Sequence, residues 1–178
     1  MAATATDTHP IPTRQGLIRG LFSFPDPVNE VSARLVAGGV VLMVVLTLAL
    51  DLHWATAVLT YGFAARVLTG PSLSPLGQFV TRVVTPRLGL AERPVSGPPK
   101  RFAQGMGLAF SSGALVLTLL GYWTAAEVLL VLLAGAAFLE SALGFCLGCK
   151  TFGLLMRLGV IPEEVCERCN DIWSVRSA

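Results

Sequence analysis

The chain contains long apolar runs that a water-soluble core of its size has no room to bury. Val31 to Leu50 is about 20 residues, roughly 30 Å as a helix; its one charge, Arg34, lies near the start, where a long side chain can snorkel. Phe102 to Trp123 and Ala125 to about Cys149 form two further runs, and Trp54 to about Leu68 a shorter one containing Arg66. Only 13% of the 178 residues are charged, against about 25% in soluble domains, so little polar surface is left to face water. A mean hydropathy of +0.68 agrees. The expected fold is all-α: a polytopic membrane bundle of four transmembrane helices, with the lipid bilayer as its first partner. The tight polar turn Asp51-Leu52-His53 joins the first two spans and a residue or so joins the last two, so the bundle reads as two antiparallel hairpins.

Charge placement sets the expected orientation. The turns at Asp51 to Trp54 and Tyr122 to Glu127 contain no Lys or Arg; all 13 basic residues lie in the tails, the central loop or the span ends beside them. Positive-inside then puts both termini and the central loop in the cytosol, with Trp54, Tyr122 and Trp123 as an outer aromatic belt. This is a multi-pass protein of the inner (plasma) membrane. Residues 1–30 carry Pro10, Pro12, Pro25 and Pro27 and no apolar run, and read as a retained cytosolic tail. The transmembrane domain covers 31–158, and 159–178 form a cytosolic tail with a short helix after Pro162. A net charge of +2 is too small to suggest a nucleic-acid binder, and no nucleic-acid partner is expected.

Between the hairpins, Leu73, Leu76, Phe79, Val80, Val83 and Val84 form an amphipathic stripe, predicting an interfacial helix over 73–84. Pro86, Pro94, Pro98 and Pro99 then predict an irregular loop over 85–101, with Lys100-Arg101 anchoring the third span. Small residues recur in the fourth run (Ala137, Ser141, Gly144, Gly148) and in the third (Gly105, Gly107, Ala109, Ser111, Gly113), so these helices are expected to pack closely; the same stripes would also suit a homodimer.

Two sets of polar residues carry candidate chemistry. Glu140 lies in the fourth run, where an ionised carboxylate costs roughly 2.5–3.5 kcal/mol unless paired; Arg66 is the expected partner. The pair reads as a structural pin, or Glu140 as the relay residue of a transporter-like bundle. All four cysteines gather toward the cytosolic side: Cys146-Leu-Gly-Cys149 closes the fourth run and Cys166-Glu-Arg-Cys169 lies in the tail. Together the four have the spacing of a structural zinc site, with zinc as the one cofactor to consider. Alternatively each pair is a dithiol for disulfide exchange or sulfur relay. Lys150 favours Cys149 as nucleophile and Cys146 as the resolving thiol, with Cys166 and Cys169 as a second pair. The outer turns hold no cysteine, so such chemistry faces the cytosol. No Walker, HExxH or dinucleotide motif is present, and whether the chain is an enzyme stays open.

Phe63-Ala-Ala-Arg66, Gly70-Pro71 with Ser74-Pro75-Leu76, Pro99-Lys100-Arg101-Phe102-Ala103, and Glu140 leading to Gly144-Phe145-Cys146-Leu-Gly148-Cys149 occur in combination. Over about Pro27 to Arg157 the chain thereby resembles an uncharacterised family of bacterial four-helix integral membrane proteins, domain of unknown function 4395. The resemblance implies a four-helix membrane fold, the first cysteine pair as a hallmark, and no established activity. It also implies thioredoxin-like or sulfurtransferase proteins as partners, while Cys166 and Cys169 lie outside its core pattern.

Overall fold

The computed structural model describes residues 27–89 and 93–161, which are predominantly helical. A two-residue bridge, β1 (Val28–Asn29) antiparallel to β2 (Pro94–Val95), ties the entrance of the first helix to the end of the central segment. Asn29 caps α1 (Glu30–Ala49) by accepting from the Val31 N–H at 3.0 Å, and Glu30 adds a negative charge at that helix's positive end. The other long helices are α2 (Ala55–Thr69), α5 (Gly97–Leu119) and α6 (Trp123–Leu143). By length and composition α1, α5 and α6 can each cross a membrane. At 15 residues, about 22 Å, α2 is shorter than a hydrocarbon core of about 30 Å. Leu42, Leu46, Val58, Val116, Val131 and Phe138 face outward, the apolar exterior expected of helices in lipid.

The helices do not pack as two self-contained hairpins. Although consecutive, α1 and α2 touch sparingly; α1 lies along α6, α2 along α5, and α5 along α6. Small residues decide this arrangement. Gly38 in α1 gives Ser141 of α6 its place, Gly107 in α5 lies so close to the Phe63 ring of α2 that a Cβ would collide with it, and Gly113 meets Leu129 of α6. The expected small-residue stripes are thus spread over three helix pairs, and a Cβ at Gly105 would meet nothing within 4 Å among the described residues. Val40, Val44, Leu59, Ala114, Ala126 and Leu130 form the core. At one end the two turns meet, His53 stacking on Trp123 with ring centroids 4.1 Å apart, and Trp54 and Tyr122 are exposed beside them.

At the other end the central segment runs on further than its prolines suggest. Ser74 caps α3 (Pro75–Phe79) by accepting from the Gly77 N–H, and a π-helical turn (Val80–Val84) leads into α4 (Thr85–Leu88). The helix therefore passes Pro86 rather than ending before it. The wider turn, in which the Thr85 N–H reaches the Val80 carbonyl, accommodates the proline that follows. Leu76 seats against Gly39 and Val80 is buried, whereas Phe79 and Leu73 face outward.

The fourth apolar run is interrupted. Helix α6 stops at Leu143; Gly144 takes a left-handed φ of +66°, its N–H bonding the Glu140 carbonyl and the Phe145 N–H the Leu139 carbonyl. The Gly144-to-Glu140 bond is the 5→1 closure of a left-handed helix stop, and Gly144 carries it because a side chain there would be strained. Arg34 secures the same end, its Nε and Nη2 donating to the Ser141 carbonyl and Nη2 also to that of Ala142, at 3.1–3.2 Å. A new helix, α7 (Leu147–Arg157), then begins at Cys146. The expected continuous span to Cys149 is therefore corrected: the cysteine pair opens a separate amphipathic helix.

Candidate functional site

Helix α7 is held by its apolar face. Phe152 and Met156 are buried, the Phe152 ring lies 5.6 Å from that of Phe102, and Gly148 rests against the backbone of Ala103 in α5. This docking fixes the first turn of α7, and with it both sulfurs. Cys146 is the N-cap: its Sγ accepts from the Cys149 N–H at 3.4 Å and from the Cys149 thiol at 2.8 Å. Both cysteines are free thiols, Cys146 buried and Cys149 half-buried.

The geometry reverses the acidity that the sequence suggests. The hydrogen bond from the Cys149 thiol holds Cys146 below the ordinary thiol range; burial and the Glu140 carboxylate oppose it, while the Lys100 ammonium and the Cys149 N–H support it. Cys149, whose proton makes that bond, is pushed well up, and burial and the neighbouring sulfur push the same way. Lys150, expected to activate Cys149, lies over the Phe145 ring at 5.9 Å. Of the two sulfurs, Cys146 is the one held toward the thiolate form, because the broken helix makes it a cap instead of a mid-helix residue.

Glu140 bonds Lys100, with Oε1 2.6 Å from Nζ and both side chains largely buried. Sequence reasoning places Lys100 at the interface as an anchor and gives Glu140 to Arg66; the first turn of α5 instead turns Lys100 inward. The available signal was helical phase: Lys100, Gly107, Ser111 and Ala114 fall on one buried face of α5, while Arg101, one residue on, points elsewhere and donates to the Val67 carbonyl. Arg66 remains close enough to feel the Glu140 charge, but its guanidinium lies over the Phe63 ring, 4.3 Å from the centroid.

Between the sparingly touching α1 and α2 and the other helices is a cavity of about 250 Å³. Val40, Phe63, Phe110 and Leu133 supply apolar wall; Arg66, Gln104, Glu140 and Cys146 supply polar atoms. The structure thus gathers Cys146, Arg66 and Glu140 around one space, with Lys100 bonded to Glu140. Among the described residues no group of three or more His, Cys, Asp and Glu side chains could hold a metal. Cys166 and Cys169, the second dithiol and the other half of the four-cysteine zinc reading, lie outside the described residues, as does the helix expected after Pro162.

A helical bundle with three helices able to cross a membrane and a CxxC pair opening a docked helix defines the class. Residues 28–157 match the model of a domain of unknown function, DUF4395, and the chain belongs to that family. No curated protein and no solved structure matches it.

Proposed function

We propose that this is a four-span membrane protein whose Cys146–Cys149 pair is a cytosol-facing dithiol for disulfide exchange or sulfur relay. The observation that carries the reading is the contact between the two sulfurs, 2.8 Å apart, with the capping Cys146 sulfur also accepting the Cys149 N–H and the Lys100 ammonium acting on it. A thiolate and a thiol in contact are the reactants of intramolecular disulfide closure. Cys149, the more exposed of the two, is the sulfur a partner protein reaches; Cys146 is the better leaving group when that partner attacks. A thioredoxin-like or sulfurtransferase protein fits this surface.

Chain direction supports the four-pass reading. The turns at 50–54 and 120–122 share one end, while β1–β2 pairing and the Glu30 N–H bond to the Arg93 carbonyl bring the starts of α1 and α5 to the other. On this reading helix α2 carries the chain back across the bundle, the bilayer thinning locally to meet its length. Basic residues cluster at the cysteine end, which the positive-inside rule assigns to the cytosol.

The test is equilibration of purified protein, with Cys166 and Cys169 replaced by Ser, in glutathione buffers of graded ratio, followed by alkylation and mass analysis. The expected result is reversible formation of one internal Cys146–Cys149 disulfide. Thiols that stay reduced at every ratio, or are oxidised only between chains, would refute the reading.

A further inference from the structure

Arg66 is 5% exposed, and among the described residues its Nε and Nη1 have no hydrogen-bond partner. Buried donors without acceptors are costly, and a guanidinium more than most. Among these residues the Gln104 Oε1 is likewise buried and unpartnered, and both Arg66 and Gln104 border the cavity that Cys146 also lines. The remaining wall is largely apolar and includes the Phe63 and Phe110 rings. Such a space suits a flat apolar ring bearing a carbonyl oxygen for Arg66.

Charge narrows the choice of occupant. Arg66 and Glu140 both border the cavity, and Glu140 is paired with Lys100. A carboxylate or phosphate reaching Arg66 would set a second anion beside Glu140, whereas a neutral carbonyl oxygen accepts from Arg66 without one. A membrane-dissolved molecule also needs no aqueous route to a cavity inside an apolar bundle.

We propose that this cavity is a quinone site, in which a lipid-soluble quinone takes a hydrogen bond from Arg66 on one carbonyl oxygen and oxidises the Cys146–Cys149 dithiol. The inference rests on the dithiol reading given above. In the reaction an S–S bond forms between Cys146 and Cys149, and the S–H bond of Cys149 breaks. Two electrons pass from the sulfurs to the quinone, and the Cys149 proton goes to a quinone oxygen. Thiolate, thiol and quinone thus give disulfide and a quinol monoanion, with one negative charge before and after. That charge moves from the Cys146 sulfur to the oxygen facing Arg66, so no new buried charge is created, and water later supplies the second proton.

The experiment uses the full chain, reduced and held without oxygen in lipid nanodiscs, mixed separately with a short-chain ubiquinone and a short-chain naphthoquinone. Reduction of either, with quinol and Cys146–Cys149 disulfide appearing in equal amounts, is the expected result. Arg66→Gln, which removes the donor, and Ala136→Leu, which fills the cavity while keeping every charge, should each raise the half-saturating quinone concentration about tenfold or more. If Arg66→Gln does not fold, Arg66→Lys, lacking the forked donors, takes its place. Oxidation by glutathione disulfide with both quinones left untouched overturns the quinone site and spares the dithiol. Unchanged half-saturation in the variants also overturns it. No disulfide with any of these oxidants overturns the dithiol reading and the quinone site together.

Discussion

A thiol becomes a nucleophile only as its proton leaves, so the proton between Cys146 and Cys149 governs what the pair can do. With Cys166 and Cys169 replaced by Ser, alkylation of Cys146 by iodoacetamide should rise with pH and level off below the ordinary thiol range of about 8.5. Because the Cys149 thiol is the leading cause of that low position, Cys149→Ala should move the profile to higher pH. Between the two midpoints the parent reacts as thiolate and the variant does not; identical profiles would mean that Cys149 does not hold the Cys146 charge. The Lys100–Glu140 pair makes a second prediction. Glu140→Gln leaves a buried ammonium without its counter-ion and should cost about 3–5 kcal/mol, read by denaturant titration in mixed micelles. Lys100→Met should cost a similar amount, and the double variant clearly less than the sum, with weaker coupling between Glu140 and Arg66. Strict additivity for Lys100 and Glu140 would contradict the ion pair. That Glu140 needs a cation was legible from its apolar setting. Which cation it takes was not, because Arg66 and Lys100 differ only in helical phase and in how α2 and α5 come together.

The apolar runs made the long helices legible, and the stripe from Leu73 to Val84 made the helical central segment so. The stop at Gly144 was harder to see, since hydrophobic residues continue through Phe145 and Leu147 and mask a break that rests on one glycine's left-handed φ. Gly144→Ala discriminates between the two arrangements. In an uninterrupted helix alanine would stabilise by up to about 1 kcal/mol; at a left-handed cap it should destabilise by about that amount and disturb the Cys146 cap that follows. A stabilised protein with unaltered Cys146 reactivity would restore the continuous span. Gly107→Ala probes the α2–α5 contact in the same way: its Cβ runs into Phe63, so a loss of about 1–3 kcal/mol is expected. An unchanged stability would place α2 elsewhere.

Across the bundle, the sequence could be read for helices and turns but not for neighbours. Short connections suggested two hairpins, whereas the contacts are dominated by α1 on α6 and α2 on α5, and the cavity at the cysteine end is what that arrangement leaves open. Pairing of this kind depends on where glycines admit a facing side chain, as Gly38 does for Ser141 and Gly107 for Phe63, and a single sequence does not say which helix faces which. The side of the membrane can be checked with single cysteines at exposed positions in a chain otherwise free of cysteine. Tyr122→Cys should react with an impermeant maleimide added to intact cells, and Leu88→Cys only after lysis. The reverse pattern would invert the orientation and turn the dithiol outward. The role of the cysteines themselves is tested most directly by metal analysis with thiol counting on the purified, unmodified chain. The dithiol account predicts no tightly held zinc, with Cys146 and Cys149 open to alkylation when reduced and closed by their own disulfide after oxidised glutathione. About one zinc per chain, with all four thiols protected until the metal is stripped, would contradict it.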